Sequence, residues 1–381
     1  MSRWPIVRLP DVAEIIMGQS PPGDTYNETT DGLPFFQGKA EFGEVSPTPR
    51  KWCNSPKKIA EAGDILMSVR APVGPTNLAS TRCCIGRGLA AIRANQDMLD
   101  PAYLRFALRY SEPELASMGQ GSTFAAIGRA ELASTNFPVP PLPEQRRIVD
   151  LLSRAEGIVR LRREAEKKAA ELIPALFLDM FGDPATNPKG WPVVNFASYG
   201  ECRLVKMLDK KKQTGVFQRP YLRNVNVQWD RIDTYDLLTM DINPKEQATL
   251  LLREGDVLIC EGGEIGRAAV WHGQVEECYF QKALHKLKPD LTKVRPDFVV
   301  WLLWHLARSG TLLGSSTHAT IAHLTGVQLK NLKVIAPTVE IQIEFERLVE
   351  QAHSIRSQQS AATAKAKATF NALLAQTFSA S

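Results

Sequence analysis

The longest regularly patterned stretch of the chain is residues 144–181, EQRRIVDLLSRAEGIVRLRREAEKKAAELIPALFLDMF. Before it stands Pro141-Leu142-Pro143, which sets an extended entry because proline restricts its own backbone and that of the preceding residue. Apolar residues then recur in alternating steps of three and four, which predicts one helix, roughly 57 Å long at about 1.5 Å per residue. Pro174 is expected to kink its last turns, because proline removes a backbone hydrogen bond. The predicted helix ends at Gly182.

A second helix with the same spacing is predicted near the carboxyl end of the sequence. Both apolar stripes continue over more than three heptads, which is typical of coiled-coil packing. Their shared length and register predict that the two helices pair as an antiparallel coiled coil. The alternative is two ordinary amphipathic helices, each packed on its own domain, which the length of the first helix disfavours. The predicted interface residues are Ile148, Leu151, Ala155, Ile158, Arg162, Ala169, Leu172, Phe345, Leu348, Ala352, Ile355, Gln359, Ala366 and Leu373.

The chain also repeats itself in order along its length. Trp4-Pro5-Ile6-Val7 recurs as Trp191-Pro192-Val193-Val194, and Gly63-Asp64-Ile65-Leu66 recurs as Gly255-Asp256-Val257-Leu258, at offsets of 187 and 192 residues. From Leu132 onward the offset settles at 197 residues. A colinear series of matches through both halves predicts a tandem duplication, with short insertions in loops causing the drift in offset.

Each half of this duplication is predicted to be a mixed module followed by a long helix. Short β-type runs between turn signals, followed by a helical stretch, favour an α+β fold over a doubly wound parallel sheet, which needs regular strand–helix alternation. The predicted fold class is therefore α+β, with two tandem mixed α/β modules. The predicted segments are a first module at 1–142, a central helix at 143–181, a linker at 182–190, a second module at 191–337 and a distal helix at 338–378.

Composition excludes several classes of protein. Hydrophobic residues make up 44% and charged residues 23% of the 381 residues, which are ordinary globular values and exclude a mainly disordered or collagen-like chain. The longest apolar run, Phe298 to Trp304, is too short to span a membrane, and the amino terminus has no signal-peptide pattern. A cytoplasmic protein is therefore expected. Its six cysteines form no C-x-x-C pair and are expected to be reduced thiols.

The usual signatures of catalytic and metal sites are missing from the sequence. Gly38-Lys39 lacks the earlier glycine of a phosphate-binding loop, because Leu33 stands at that position. Gly86-Arg87-Gly88 lacks the third glycine of a dinucleotide fold. The six histidines form no pair with the usual metal-ligand spacing, so we expect a non-catalytic protein with no metal. The net charge of +5 is too small to indicate a nucleic-acid partner by itself, so DNA contacts would have to come from local basic clusters.

The central helix carries the motif by which a family can be recognised. Residues 140–149, PPLPEQRRIV, followed by a helix that ends in LDMFGDP at 178–184, closely resemble the central region of the specificity subunits of type I restriction-modification enzymes. The resemblance extends over the whole chain. It is looser in the distal copy, where Val339-Glu340-Ile341-Gln342 replaces Leu142-Pro143-Glu144-Gln145.

The resemblance implies that each module is a target-recognition domain that reads one half of a bipartite, asymmetric site in double-stranded DNA. It implies that the paired helices are a spacer and a docking surface for two methyltransferase subunits, and that restriction/translocase subunits join the larger assembly. S-adenosylmethionine, ATP and magnesium would belong to those partners, with no cofactor in this chain. The chain would then be the non-catalytic subunit of a DNA methyltransferase and ATP-dependent restriction endonuclease complex.

Candidate DNA contacts follow from side-chain chemistry and predicted loop positions. Lysine and arginine contacts to phosphate position a protein on DNA, and contacts to base edges supply specificity. The candidates in the first module are Lys39, Arg70, Arg82, Arg87, Ser122 and Thr123. Those in the second module are Lys210, Lys211, Lys212, Arg223, Asn224, Arg267, Ser316 and Thr317.

Two other interpretations stay open at this stage. The first is a stand-alone DNA-binding regulator that uses its coiled coil only for internal bracing. The second is an enzyme with a degenerate motif, which would transfer methyl groups without partners. Co-purification with methyltransferase subunits separates the first from the specificity subunit, and a methyl-transfer assay of the isolated chain separates the second.

Overall fold

A computed structural model of the protein divides into two compact units. The first unit comprises residues 1–164 and 361–381, and the second comprises residues 165–360. Each unit therefore includes part of both long helices. The structure describes residues 4–119, 125–203, 215–281, 283–313 and 323–379.

The first unit contains two sheets and a terminal strand pair. Its strands are β1 (Ile6–Arg8), β2 (Ala13–Met17), β3 (Tyr26–Asn27), β4 (Leu33–Phe36), β5 (Lys51–Cys53), β6 (Ile59–Ala60), β7 (Ile65–Ser68), β8 (Thr76–Leu78), β9 (Cys83–Ile85), β10 (Leu89–Ala94) and β11 (Asn136–Pro138). An antiparallel sheet has the order β2-β10-β7-β8, a mixed sheet has the order β3-β5-β4-β9-β6, and β1 pairs with β11. In the mixed sheet β4 and β9 run parallel, with Phe35 opposite Cys84 and Phe36 opposite Ile85.

Three helices accompany these strands, and a long helix follows them. The three are α1 (Leu9–Val12), α2 (Pro101–Ser117) and α3 (Arg129–Ala133), and the long helix is α4 (Leu142–Ala170). The Asp100 carboxylate caps α2 by accepting hydrogen bonds from the backbone N–H groups of Ala102 and Tyr103.

The predicted central helix is interrupted near its end. A separate helix, α5 (Leu172–Phe181), follows α4. The break falls where Pro174 cannot donate a hydrogen bond to the carbonyl of Ala170, which its ring also crowds. Gly182, with a φ of 76°, ends α5.

The second unit repeats the same kinds of strand pairing. Its strands are β12 (Val193–Asn195), β13 (Gly200–Arg203), β14 (Gln218–Leu222), β15 (Val227–Gln228), β16 (Arg231–Ile232), β17 (Leu238–Asp241), β18 (Val257–Cys260), β19 (Ala268–Val270), β20 (Tyr279–Phe280), β21 (Leu284–Pro289) and β22 (Lys333–Ile335). An antiparallel sheet has the order β13-β21-β18-β19, and another sheet has the order β17-β14-β20. β12 pairs with β22, and β15 with β16.

Four helices complete the described chain of the second unit. They are α6 (Pro244–Leu250), α7 (Pro296–Arg308), α8 (Gly326–Asn331) and the long helix α9 (Val339–Phe378), whose last part belongs to the first unit. The mixed α+β content and the long carboxyl-terminal helix agree with the predicted fold class. Within the described parts of the chain, no helix combines the length and apolar character needed to cross a membrane.

One strand arrangement occurs in both units. In the first, β4 runs parallel to β9, which leads into the four-stranded sheet through β10. In the second, β14 runs parallel to β20, which leads into the other four-stranded sheet through β21. The residues that follow β4 and β14 therefore occupy equivalent places in the two units.

The core of the first unit joins the four-stranded sheet to α2, α4 and the end of α9. Leu152 and Val159 of α4 are buried in this core together with Phe370 and Phe378 of α9. The Phe378 ring lies 5.2 Å from the Tyr103 ring of α2. The burial of α4 is therefore set by two neighbours, α2 and α9.

The core of the second unit contains a cluster of phenylalanines from three helices. Phe177 and Phe181 of α5 pack on Phe298 of α7 at ring-centroid distances of 5.6 and 4.8 Å. Phe345 of α9 lies 5.7 Å from Phe177 and is fully buried. Helix α5 thus packs between the module helix α7 and the first part of α9.

The predicted apolar stripe needs a correction on both long helices. Leu151 and Ile158 are 49% and 54% exposed, and their neighbours Leu152 and Val159 are buried instead. Leu172 and Ile355 also lie on the exposed side. The reason is that α4 and α5 pack on their modules as well as on α9, and that second contact rotates the buried face by one residue.

The other predicted interface residues differ in how much of each is exposed to solvent. Arg162 is exposed. The buried positions are Ala169, Phe345 and Ala352. The half-buried positions are Ile148, Ala155, Leu348, Gln359, Ala366 and Leu373.

All six cysteines are free thiols. Burial raises the pKa of the Cys83 thiol to about 12 and those of Cys202, Cys260 and Cys278 to about 11. Thiols with such pKa values are almost entirely protonated at neutral pH and are poor nucleophiles.

Candidate nucleic-acid interface

Three predicted DNA contacts of the first unit line one open cavity. Lys39, Arg70 and Arg87 surround a space of about 450 Å³ at the edge of the mixed sheet. The other lining residues are Ser20, Tyr26, Gln37, Gly38, Ser68, Ala71 and Gly88. Three cationic side chains therefore converge on one concave surface.

The strand ends explain why these cations meet. Lys39 opens a 3-10 turn after β4, and Arg87 lies in the turn between β9 and β10. Because β4 and β9 are parallel, their carboxyl ends lie at the same edge of the sheet. Arg70 follows β7, and the Val69 N–H donates to the Gly88 carbonyl, which holds that strand end against the same turn.

The turn that carries Arg87 requires close backbone approach. A Cβ atom added at Gly88 would lie 2.2 Å from the carbonyl oxygen of Gln37, a distance that no side chain tolerates. The Gly86 N–H also donates to the Phe36 carbonyl over 2.8 Å. Gly86-Arg87-Gly88 is therefore a structural turn that fixes the position of Arg87.

The cavity has a rigid aromatic wall. The Tyr26 hydroxyl donates to the Pro21 carbonyl over 2.6 Å, and the Tyr26 ring stacks on Phe35 at 4.6 Å. Burial raises the pKa of Tyr26, and the nearby positive charge of Arg87 partly opposes this shift. Ser20 accepts a hydrogen bond from the Arg87 N–H over 3.4 Å.

The cavity cations are exposed, and one of them acts on a carboxylate at longer range: the charge of Lys39 partly opposes the rise that burial causes in the pKa of Glu112. Lys39, Arg70 and Arg87 are exposed, and none of them makes an ion pair with an acidic side chain in the described part of the chain. Like charges held together in this way attract anions. Phosphate oxygens and the acceptor atoms of base edges are the groups that lysine and arginine bind on DNA.

The remaining candidates of the first unit lie elsewhere. Arg82 pairs with Glu61 over 3.2 Å and does not line the cavity. Ser122 and Thr123 lie outside the described residues. Ser20, Tyr26, Gln37 and Ser68 line the cavity although sequence reasoning did not select them. Their signal would have been their position next to strand ends.

The second unit brings three candidates together in a different way. Arg223 and Asn224 follow β14, as the cavity residues follow β4. The Arg267 guanidinium donates to the Asn224 carbonyl over 2.9 Å and is only 15% exposed. The Asn224 side-chain amide donates to the Gly262 carbonyl over 2.9 Å. These donors are used inside the protein, whereas the cations of the first unit face solvent.

Some polar atoms of this second cluster still lack partners. Arg223 Nε, Asn224 Oδ1 and Arg267 Nε are buried and make no hydrogen bond with the described residues. Buried polar atoms of this kind usually contact water or a ligand. The other candidates of this unit, Lys210, Lys211, Lys212, Ser316 and Thr317, lie outside the described residues.

The described side chains contain no group of the kind that metal ions need as ligands. No group of three or more histidine, cysteine, aspartate or glutamate residues among them could hold a metal ion. His285 uses one ring nitrogen in a 2.6 Å hydrogen bond with the Leu324 carbonyl, and burial lowers its pKa.

Comparison with known proteins finds similarities to one family. Residues 1–171 match the type I restriction modification DNA specificity domain. The chain is 41% identical over 167 residues to a Methanocaldococcus jannaschii protein named for the specificity subunit of type I restriction enzyme MjaX. That match covers 43% of this chain and 39% of that protein, so the chain spans well under half of the relative's length.

Two further similarities extend over most of the chain. The type I restriction enzyme MjaIX specificity subunit of the same organism is 22% identical over 386 residues, which cover 91% of this chain and 86% of that protein. A crystal structure of a type I restriction-modification system S subunit from M. genitalium matches with a TM-score of 0.52 and 14% identity, over 100% of this chain and 97% of that one. At that identity the structural match shows a shared fold.

The cation-lined cavity thus lies inside the matched region, at the edge of a sheet that the family domain includes. Residues 1–171 of this chain are therefore similar to the type I restriction modification DNA specificity domain, and most of the chain is similar to a type I restriction enzyme specificity subunit.

Proposed function

We propose that this chain is the non-catalytic DNA-reading subunit of a type I restriction-modification system. Each unit would carry a target-recognition domain for one half of a bipartite, asymmetric site in double-stranded DNA. The observation that carries the proposal is the convergence of Lys39, Arg70 and Arg87 on one open cavity, where none of them makes an ion pair with a described carboxylate. Such an arrangement repels itself unless an anion joins it, and DNA supplies closely spaced phosphates.

The differences between the units support two separate half-sites. Both units place loop residues after a strand that pairs in parallel, β4 in one and β14 in the other. Lys39, after β4, makes no ion pair with a described acidic side chain, whereas Asn224, after β14, is hydrogen-bonded to Gly262 and Arg267. A duplicated scaffold with unlike reading surfaces is what recognition of two different sequences requires.

The long helices are proposed to form an antiparallel coiled coil that acts as the spacer between the modules. In the first unit, residues early in α4 share a core with residues late in α9. In the second unit, α5 packs on residues early in α9. This order of contacts supports the antiparallel direction. The proposed functional segments remain 1–142, 143–181, 182–190, 191–337 and 338–378.

The exposed face of α4 is the proposed docking surface for methyltransferase subunits. Leu151, Ile158 and Leu161 are 49%, 54% and 60% exposed, and their spacing places them on one side of the helix. An apolar patch that the chain itself leaves uncovered marks a protein-binding surface. Two methyltransferase subunits and the restriction/translocase subunits are the proposed partners. S-adenosylmethionine, ATP and magnesium would be bound by them.

Co-expression tests this proposal directly. The chain and the methyltransferase of its own system would be produced in a host that lacks both, and modified bases would be mapped across the host genome. The proposal expects a motif with two defined parts and a constant gap, which disappears when the chain is omitted. Modification of the same motif without the chain, or methyl transfer by the isolated chain, would contradict it.

The stand-alone regulator is the second candidate, because the cavity alone would also suit a repressor. The exposed apolar face of α4 favours the specificity subunit over the regulator. Affinity purification of the tagged chain from cells that express both subunits discriminates between them. Stable recovery of methyltransferase supports the proposal, and recovery of the chain alone supports the regulator.

A further inference from the structure

A loop of the second unit presents a tyrosine fully to solvent. The Tyr235 side chain is 98% exposed, in the segment between β16 and β17. Val225, in the neighbouring turn after β14, is 60% exposed. A tyrosine ring that stays in water in the free protein is available to contact a partner, with both an apolar face and a hydroxyl group.

Backbone and side-chain hydrogen bonds hold this loop in place. The Asp233 N–H donates to the Asn226 carbonyl over 2.7 Å, and the Asn226 amide donates back to the carbonyls of Asp233 and Asp236 over 3.0 and 3.2 Å. The Tyr235 N–H donates to the Asp233 carboxylate over 3.0 Å. The loop is therefore fixed on both sides of the exposed ring.

Arg223 anchors this loop through Asp236. Its guanidinium donates to the Asp236 carbonyl and carboxylate over 2.9 and 2.7 Å. Arg223 is a predicted DNA contact, and one of its terminal nitrogens also positions the loop. The residue that this anchoring presents to solvent is Tyr235.

The loop lies beside the candidate reading surface of its unit. Arg223, which anchors it, directly precedes Asn224, whose side chain bonds to Gly262. In the first unit the residues after the equivalent strand β4 line the cationic cavity. Through Arg223, the loop that carries Tyr235 is therefore joined to the residues that follow β14.

We infer that Tyr235 is a DNA-reading residue of the second unit, whose ring packs against base edges in a groove of the duplex. This inference rests on the proposed function. The loop backbone that carries the ring is held in place before binding, so it loses little conformational freedom when it binds. Phosphates offer no apolar surface to a ring, whereas the thymine methyl at a base edge does.

A substitution of Tyr235 can change DNA binding without changing the stability of the protein. Because the side chain is almost entirely in solvent, Tyr235→Ala removes no packing contact and should leave the thermal midpoint unchanged. Tyr235→Phe keeps the ring and removes the hydroxyl. Leu291→Ala is the matched control, since Leu291 is 51% exposed on a turn of the same unit.

The test uses the complex that this chain forms with its methyltransferase. It measures the equilibrium affinity of that complex for the DNA duplex whose motif genome mapping identifies. Tyr235→Ala should weaken binding at least fivefold with an unchanged salt dependence, because a ring contact displaces no counterions. Tyr235→Phe and Leu291→Ala should stay within twofold of the wild type. Wild-type affinity in Tyr235→Ala would overturn the inference, as would failure of that variant to assemble with the methyltransferase.

The same measurement separates this inference from the proposed function. If the wild-type complex does not distinguish the mapped duplex from unrelated DNA, the proposed function fails. If the wild-type complex does distinguish them and Tyr235→Ala behaves identically, only the role of Tyr235 is lost.

Discussion

Gln145 and Gln342 make the same three hydrogen bonds in their respective units. The Gln145 Oε1 accepts from the Asp100 N–H over 2.8 Å, and its Nε2 donates to the carbonyls of Met98 and Pro140. The Gln342 Oε1 accepts from the Arg295 N–H over 2.9 Å, and its Nε2 donates to Lys293 and Pro337. Both side chains are fully buried. One glutamine at the start of each long helix therefore joins that helix to the segment that leads into a module helix.

Replacing either glutamine with alanine should destabilise its own unit by about 3 kcal/mol, since one N–H and two carbonyls lose a fully buried partner. Urea denaturation of Gln145→Ala and Gln342→Ala measures this cost. Gln351→Ala is the control, because Gln351 lies on the exposed side of α9. Equal stability of the control and the two variants would show that these bonds do not hold the helices.

Two adjacent leucines of α4 should respond in opposite ways. Leu152→Asp places a carboxylate in the core of the first unit and should lower the free energy of unfolding by about 4 kcal/mol. Leu151→Asp lies on the exposed side and should change the stability by no more than about 0.5 kcal/mol. It should instead impair recovery of the methyltransferase in affinity purification. If the Leu151→Asp variant recovered as much methyltransferase as the wild type, the exposed face of α4 would not be the docking surface.

The cavity cations should contribute to DNA affinity through phosphate contacts. Lys39→Ala, Arg70→Ala and Arg87→Ala should each weaken binding and lower the slope of log affinity against log salt concentration by about 1. Arg82→Ala is the control, because Arg82 pairs with Glu61 outside the cavity. Titrations of the assembled complex at several salt concentrations measure these slopes. A slope reduction for Arg82→Ala as large as for Arg87→Ala would contradict the assignment of the cavity.

A buried carboxyl in the second unit should make stability depend on pH. Burial, together with the nearby carboxylates of Asp230, Glu346 and Glu350, raises the pKa of Asp297 to about 7, although His353 opposes the shift. Between its unfolded pKa near 4 and pH 7, the folded state binds the proton that the unfolded state has released. The stability from this group is therefore complete below about pH 4 and is lost as pH rises through 7.

Asp297→Asn removes this dependence. The change that it causes in the free energy of unfolding should therefore be more favourable at pH 8 than at pH 5, and the difference between the two pH values should be about 2 kcal/mol. Thermal and urea denaturation at the two pH values measure the difference. The lowered pKa of His305, about 4 because of burial, contributes the opposite slope to wild type and variant alike and cancels in the comparison. Asp179→Asn, on the exposed side of α5, is the control. An equal effect of Asp297→Asn at both pH values would show that Asp297 is ionised in the folded protein throughout.

The sequence predicted the mixed α+β fold and the similarity to type I specificity subunits because both depend on local patterns. Proline and glycine mark the ends of the long helices, and the motif around Gln145 is contiguous. The buried face of α4 could not be predicted with the same certainty. Leu151 and Leu152 are both apolar, and the choice between them depends on α2 and α9, which are distant in the sequence.

The candidate site was predictable only in part for the same reason. Lys39, Arg70 and Arg87 were selected because exposed loop cations suit DNA, and the structure brings them to one cavity. Arg223 and Arg267 have the same chemistry, but one terminal nitrogen of each is held in a hydrogen bond to another segment of the second unit. Whether an arginine is free or bonded is decided by tertiary contacts, which composition does not encode.

Exchange of one module tests the central claim most directly. Residues 191–337 would be replaced by the equivalent module of another family member, and modified bases would be mapped in cells that also express the methyltransferase. We predict that one half of the motif changes and that the other half and the gap stay the same. A change in both halves, or an unchanged motif, would contradict the assignment of one half-site to each module.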